Sequence, residues 1–194
     1  MDSEIFSIRL RLLITATLAA ALSSMAQAEP FFAQRVLQEV TFQVESPNDS
    51  SINQVLVRAS TAEGSLGEHQ AEADGTITNV EIDDLNADGF PEIYVYVTSA
   101  GSGSYGSLIA FASNGNKSLS LIFLPSLDDK AELSQGYMGH DEFAVGEGTF
   151  MRRFPIYLEG DTNAAPTGVT RQIQYKLEPG EAGWILRQDR VVEF

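Results

Sequence analysis

Gly101, Gly103 and Gly106 have the spacing G-x-G-x-x-G, which occurs in loops that bind nucleotide phosphates. In a dinucleotide-binding domain this loop opens a helix whose N-terminus meets the pyrophosphate. Here the glycines are followed by residues 107–113, SLIAFAS, a pattern typical of a β-strand. A kinase glycine-rich loop does lie between strands, but the lysine and aspartate motifs that accompany it are absent from the sequence. These observations argue against nucleotide binding.

A second group of polar residues lies in DDLNADGFPE, residues 83–92. Asp84, Asn86 and Asp88, followed directly by a glycine, reproduce the first half of a calcium-binding loop, and Glu92 stands at the ninth position. The twelfth position, which is a glutamate in an EF-hand, is a valine within a predicted strand. Calcium binding by these four residues is one hypothesis. The other, which we favour, is a turn whose side chains bond their own backbone.

The residue types used in hydrolytic catalysis form no recognisable motif. The sequence contains neither G-x-S-x-G nor H-E-x-x-H, and its two histidines, His69 and His140, lie in different polar segments. The run His140, Asp141 and Glu142 suggests a metal patch, although a solvated loop is the simpler interpretation. Pairs of carboxylates that cleave glycosides stay open as an alternative, but no pair stands out. We therefore predict that the protein is not an enzyme.

The N-terminus has the organisation of a secretory signal peptide. Arg9 and Arg11 precede an apolar run at residues 12–22, and Ala26-Gln27-Ala28 forms an A-x-A cleavage site. The apolar run is too short to span a bilayer. We predict a signal peptide at residues 1–28, cleavage after Ala28, a single domain at residues 29–194, and a periplasmic or secreted location.

The chain is acidic, with a formal net charge of −15 at pH 7. Such a charge repels nucleic acid and anionic lipid and favours cationic partners, although it also serves solubility alone. The sequence contains no cysteine, so neither disulfides nor thiol chemistry are available. Stability must come from the core.

Most of residues 29–194 shows period-two alternation or short apolar runs bounded by turn residues. The predicted strands are residues 36–44, 54–60, 76–82, 92–98, 107–113, 118–124, 149–158, 170–177 and 184–192. Residues 127–135 are predicted to form one short helix, and the polar residues 61–75 a surface loop. Because the connections are too short for parallel crossovers, we predict an all-β fold. It is an antiparallel β-sandwich or flattened barrel of about eight to nine strands.

The segments DLNADGFPEIYVYVTSAGSGSYGSLIAF, RRFPIY and YKLEPGEAGWIL resemble the periplasmic inhibitors of invertebrate-type (I-type) lysozyme, and the resemblance covers roughly residues 36–194. It implies an antiparallel β-sandwich, often dimeric, that needs no cofactor. It also implies that a protruding loop enters the substrate cleft of a lysozyme, with a serine and a tyrosine three residues apart as contacts. These are Ser102 and Tyr105 here, and Ser104 is an alternative for the serine.

The loop at residues 99–107 favours a binding role on its own chemistry. It is longer than a minimal hairpin turn, and long loops between regular elements often carry function. Gly101, Gly103 and Gly106 allow close backbone approach and positive φ angles. Tyr105 is the one bulky side chain and suits a binding anchor. The simpler alternative is a hairpin tip whose Tyr105 folds back on the sheet.

The leading functional hypothesis is thus a lysozyme inhibitor that uses this loop, with an I-type lysozyme as its partner and a homodimer as its assembly. The alternative is a calcium-dependent module that binds a carbohydrate or an envelope protein through residues 84–92.

Overall fold

The structure is a computed structural model that describes residues 29–194. The predicted signal peptide, residues 1–28, lies outside the described residues. The described strands are β1 Phe31–Leu37, β2 Val40–Ser46, β3 Ile52–Thr61, β4 Gly64–Asp74, β5 Thr76–Asp83, β6 Glu92–Thr98, β7 Gly106–Ser113, β8 Leu119–Phe123, β9 Glu142–Gly146, β10 Thr149–Pro155, β11 Thr170–Gly180 and β12 Gly183–Glu193. A 3₁₀ turn at Leu127–Asp129 and helix α1 at Ala131–Ser134 lie within the segment for which a short helix was predicted.

The strands form two sheets. One has four strands in the order β1-β2-β3-β4, and the other has eight in the order β5-β6-β7-β8-β12-β11-β10-β9. The predicted all-β class is confirmed. The described residues contain twelve strands rather than eight or nine, and β12 pairs with β8 in parallel through Trp184 and Ile185. The fold is therefore not antiparallel throughout.

Strand β6 lies between two hydrophobic cores, because alternate residues of a strand point to opposite faces. Ile93, Val95 and Val97 pack in the core shared with the four-stranded sheet. Tyr94 and Tyr96 pack in the core enclosed by the eight-stranded sheet. This double burial explains why the most apolar, β-branched and aromatic segment of the chain occupies this position. It also fixes the two loops that flank β6.

The eight-stranded sheet curls until its two edges meet. The carboxylate of Glu81 on β5 accepts a hydrogen bond of 2.9 Å from the backbone N–H of Val145 on β9, and another from the hydroxyl of Tyr96. The edge strands are thereby joined through a side chain rather than a continuous ladder. The sheet is an almost closed barrel.

The predicted strand at residues 36–44 is wrong, since this segment contains a hairpin. Gln38 and Glu39 have φ angles of 47° and 68° and separate β1 from β2, whose residues pair in antiparallel register. Two-residue hairpin turns of this kind usually carry Asn-Gly or Asp-Gly. Neither residue here gives that signal, so the alternation of Val36, Val40 and Val44 suggested one continuous strand.

The predicted surface loop at residues 61–75 is also wrong, since most of it forms β4. Its small inward-facing residue Ala73 is buried, and the His69 ring stacks on Phe111 at a centroid distance of 4.8 Å. Glu68, Gln70 and Glu72 alternate with them on the exposed face. The period of two is present, but alanine and histidine occupy the positions where a β-branched residue would have signalled a strand.

Candidate functional site

The loop between β6 and β7 is closed by its own hydrogen bonds. The backbone N–H of Ser99 donates to the carbonyl of Tyr105 at 2.9 Å, and the N–H of Tyr105 donates to Ser99 Oγ at 2.9 Å. Within the loop, the N–H of Ser104 donates to the carbonyl of Gly101 at 3.0 Å. These bonds define a compact turn.

A second segment packs against the side of this loop. The backbone N–H of His140 donates to the carbonyl of Gly103 at 2.7 Å. Gly139 has a φ of 93°, and a Cβ atom there would lie 2.0 Å from that same carbonyl oxygen. Glycine is therefore required at position 139 both for the backbone conformation and for the close approach. The result is a loop supported from outside its own hairpin.

The base of the loop is attached to a buried ion pair. The N–H of Gly106 donates to Asp141 Oδ2 at 2.7 Å, and Arg152 Nε donates to Asp141 Oδ1 at 2.6 Å. Tyr137 donates its hydroxyl hydrogen to Asp141 Oδ2 and accepts a bond of 2.8 Å from Arg152 Nη2. The side chain of Asp141 is 0 % exposed and that of Arg152 is 8 % exposed. We call Tyr137, Asp141 and Arg152 the brace.

The electrostatics of the brace are consistent with a paired buried charge. Burial opposes the charge of Arg152, but its hydrogen bond to Asp141 and the nearby carboxylate outweigh that effect and raise its pKa. Burial raises the pKa of the Tyr137 hydroxyl, which therefore stays protonated. A buried pair of this kind is costly to break, because removing one partner leaves an uncompensated charge.

The brace shows that both sequence interpretations of residues 140–142 are wrong, and it contains two residues that the sequence analysis did not identify. His140, Asp141 and Glu142 form neither a metal patch nor a solvated loop: Asp141 is buried, the His140 ring lies 2.7 Å from Asn163 Oδ1, and Glu142 begins β9. Neither Tyr137 nor Arg152 was singled out in the sequence. Tyr137 contacts the ring of Tyr105, which is more than thirty residues away in the sequence, and Arg152 is connected to the loop only through Asp141. Neither contact can be predicted from a local sequence pattern.

The three loop glycines are used for close packing rather than for positive φ angles. None of Gly101, Gly103 and Gly106 has a positive φ, whereas Ser104 does, at 45°. A Cβ atom on Gly106 would lie 2.5 Å from Asp141 Cβ, and one on Gly103 would lie 2.4 Å from Tyr105 Cε2. Nothing lies within 4 Å of a Cβ on Gly101. The predicted close approach therefore holds at positions 103 and 106.

Ser102 and Tyr105 are both among the exposed side chains of the loop. Tyr105 is 46 % exposed, with its ring edge-on against Tyr137 at a centroid distance of 5.5 Å. Ser102 is exposed, and neither its hydroxyl nor that of Tyr105 makes a hydrogen bond with another residue in the range 29–194. Ser104, the alternative serine, is half-buried. Tyr105 therefore rests on the brace without being enclosed by the sheet.

Residues 84–92, at the other end of β6, form a turn held by side chains. Asp84 accepts bonds from the N–H groups of Asp88 at 3.0 Å and Gly89 at 2.9 Å, and Asp88 accepts one from Phe90 at 2.8 Å. These are the backbone bonds that we favoured from sequence. The nearest oxygens of Asp84, Asp88 and Glu92 also lie within 4.8 Å of one another.

Glu92 is the unusual member of this group, since its side chain is completely buried. Oε2 accepts a bond of 2.9 Å from the N–H of Leu85, while Oε1 is buried without a hydrogen-bond partner among residues 29–194. Burial raises the pKa of Glu92 to about 8, and the neighbouring carboxylates of Asp84 and Asp88 add to the rise. The arrangement supplies oxygen ligands only.

None of the helices in the described part of the chain is long and apolar enough to cross a membrane.

Comparison with known proteins identifies the family. The sequence model described as "Periplasmic lysozyme inhibitor of I-type lysozyme" matches residues 48–134, a shorter segment than the resemblance predicted. Two crystal structures of similar proteins are those of PliI from Aeromonas hydrophila, one of them in complex with Meretrix lusoria lysozyme. No curated protein sequence matches the chain.

Both crystal structures contain a protein 31% identical to this chain. The alignment covers 47% of this chain and 80% of the PliI chain in the complex, with a TM-score of 0.41. For the other PliI structure, the alignment covers 47% of this chain and 84% of that chain, with a TM-score of 0.42. The family match and the sequence identity show that the chain belongs to the family of periplasmic inhibitors of I-type lysozyme. The matched segment contains both loops that flank β6.

Proposed function

We propose that this protein inhibits an I-type lysozyme by inserting the loop at residues 99–107 into the enzyme's substrate cleft. The observation that carries the proposal is the exposure of Ser102 and Tyr105 on a loop whose base is fixed by the brace. The family supports the class of partner, since its Aeromonas member is found in complex with a lysozyme. Inhibition is by binding, so the protein turns over no substrate.

The chemistry of the loop suits a cleft that cleaves glycans. Such clefts are lined by carboxylates, which would repel an acidic tip. No charged residue occurs from Val95 through Asn116 in this otherwise acidic chain. Ser102 has a free hydroxyl that can donate to a carboxylate, and a backbone N–H group can do the same. Tyr105 offers a flat ring for a sugar-binding subsite and a phenol for a hydrogen bond at its far end.

The support beneath the loop contributes to affinity through pre-organisation. A flexible loop loses conformational entropy when it enters a cleft, and that loss is subtracted from the binding free energy. Here Gly103 is bonded to the segment before β9, and Gly106 is bonded to Asp141. The loop is therefore largely ordered before it binds the enzyme, so little conformational entropy is lost on binding.

We also propose that the protein acts outside the cytoplasm, where it meets the enzyme. The signal-peptide pattern at residues 1–28, with cleavage after Ala28, supports export. The family, which is described as periplasmic, supports the same location. The negative charge of the protein would accelerate its encounter with a cationic lysozyme.

The direct experiment follows the clearing of a bacterial cell-wall suspension by purified lysozyme, with and without residues 29–194 of this chain. I-type, chicken-type and goose-type enzymes are compared at the same activity. We expect a concentration-dependent slowing of the I-type enzyme. Failure to slow any lysozyme class at micromolar protein would refute the proposal.

A further inference from the structure

We propose that Asp84, Asn86, Asp88 and Glu92 together bind one calcium ion, at the end of β6 opposite the loop at residues 99–107. These residues supply side-chain oxygens at positions one, three, five and nine of a tight loop. The site is separate from the lysozyme-binding loop, because the seven residues of β6 extend for roughly 20 Å. It therefore goes beyond the proposed inhibition.

The distances between the acidic groups match a shared cation. Calcium is bound by protein oxygens at about 2.3–2.6 Å, so two oxygens on one ion lie at most about 5 Å apart. The nearest oxygens of Asp84, Asp88 and Glu92 fall within 4.8 Å of one another. Without a cation, this proximity places three carboxyl groups in mutual repulsion.

The turn is already folded into a shape that leaves ligand capacity free. Asp84 caps the N–H groups of Asp88 and Gly89, and Asn86 Oδ1 caps the N–H of Asp88 at 3.0 Å. A carboxylate has about four lone-pair sites, so these bonds do not exhaust its oxygens. Gln38 also donates to Asp84, and the Asn86 amide donates to Asp88, both from the solvent side of the turn.

Glu92 provides the observation that a self-capped turn does not explain. An Asx turn needs only the exposed side chains, yet this glutamate is 0 % exposed and lies behind the turn. Its Oε1 has no hydrogen-bond partner among residues 29–194. Buried polar atoms are nearly always satisfied, and an unsatisfied one often marks an ion or water. A cation held between Glu92 and the two aspartates would satisfy it.

The ligand set favours calcium over other metals. All four side chains offer oxygen, whereas zinc sites use histidine or cysteine. Magnesium demands near-octahedral geometry and keeps several waters, while calcium accepts six to eight oxygens in a flexible arrangement. The burial of Glu92 also favours a structural ion over one that presents a sugar, since one side of the ion is closed by protein.

The experiment measures melting of residues 29–194 after treatment with a chelator, and again with millimolar calcium or millimolar magnesium. We expect calcium to raise the melting temperature by mass action on the folded state, and magnesium to raise it less. Terbium bound in place of calcium supplies a second readout. The hydroxyl of Tyr94 lies 3.4 Å from Glu92 Oε2, so the tyrosine ring can sensitise terbium emission. Equal melting in chelator and calcium, or equal shifts by both cations, would overturn the proposal.

Two variants locate the ion. Glu92→Gln keeps the side-chain volume but cannot supply a carboxylate to the ion, so it should fold without metal and lose both the calcium shift and the terbium emission. Asp88→Asn should weaken both signals by about ten-fold or more, because calcium affinity follows ligand charge. Asp189→Asn, an exposed aspartate on β12, is the matched control and should respond like the parent. A full calcium shift in Glu92→Gln would refute the site.

Discussion

Asp141 and Gly106 are joined by a 2.7 Å hydrogen bond from the backbone N–H of the glycine to a carboxylate oxygen that is buried in an ion pair. The bond connects the first residue of β7 to the segment that leads into β9. Through Arg152 the same carboxylate reaches β10. The position of the candidate inhibitory loop therefore depends on strands far from it in the sequence, and these strands lie outside the segment matched by the family model.

The hydroxyl of Tyr137 tests the brace. Tyr137→Phe removes the group that bonds both Asp141 and Arg152 but keeps the ring against Tyr105. We expect the free energy of unfolding to fall by about 1–3 kcal/mol, because buried charged groups lose a partner. Urea denaturation measures this change. Tyr157→Phe removes a single bond to the carbonyl of Asn163 and serves as the control, with a smaller expected loss. Equal losses in the two variants would count against the brace.

The variant Gly103→Ala tests whether inhibition requires the observed position of the Tyr105 ring. In Gly103→Ala the added Cβ would lie 2.4 Å from Tyr105 Cε2, so the ring must move, while the nearest backbone oxygen is 3.2 Å away. We expect inhibition to weaken by roughly ten-fold or more, since anchor side chains carry much of the binding energy, with a small change in melting temperature.

Gly101→Ala is the matched control for that experiment. It adds the same methyl group where nothing lies within 4 Å, at a residue without positive φ. Its free energy of unfolding should change by no more than about 0.5 kcal/mol, the range of ordinary surface substitutions. Its inhibition constant should equal that of the parent. If both variants lose inhibition alike, the effect belongs to the loop backbone and not to the tyrosine ring.

The elements that sequence predicted best are those whose own residues determine them. β6 was predicted with the observed bounds, since EIYVYVT is apolar on both faces and the structure buries both. The turn at residues 84–92 was predicted with its side-chain caps, because aspartate and asparagine bond backbone two to five residues away. In both cases the signal lies within ten residues.

The features that could not be predicted from the sequence depend on contacts between residues far apart in the chain. The hairpin at Gln38 lacks turn residues, and β4 alternates small residues with glutamates where a loop was predicted. The burial of Glu92 follows from its place at the start of a strand enclosed by two sheets. Asp141 gave no sign of being an ion-pair partner, because Arg152 meets it only after β9 and β10 have paired.

The expected homodimer has a candidate surface. The outer face of the four-stranded sheet exposes Phe32 at 62% and Ile52 at 55%, and edge strands such as β1 tend to be covered. Light scattering at tens of micromolar protein should give twice the monomer mass. Phe32→Asp should shift the equilibrium toward monomer if this face is used. A monomer mass for the parent protein at that concentration would contradict the prediction.

The exposed pair at the loop tip gives the most direct test of the inhibitory site. Tyr105→Ala should cost about 2 kcal/mol or more in binding, roughly thirty-fold in the inhibition constant, if the ring enters a subsite. Ser102→Ala should cost about 1 kcal/mol for one neutral donor, and more if its partner is an ionised carboxylate. Both hydroxyls are free of bonds to residues 29–194, so neither change removes a hydrogen bond of the fold, and Tyr105→Ala removes in addition only the ring contact with Tyr137.

Ser118→Ala is the control for these two variants, since Ser118 is exposed in the turn at the other end of β7. Its inhibition constant should equal that of the parent. Melting curves of all three variants separate lost binding from lost structure. If Tyr105→Ala melts like the parent and inhibits equally well, residues 99–107 do not fill the cleft. In that case the lysozyme must contact another surface of the protein.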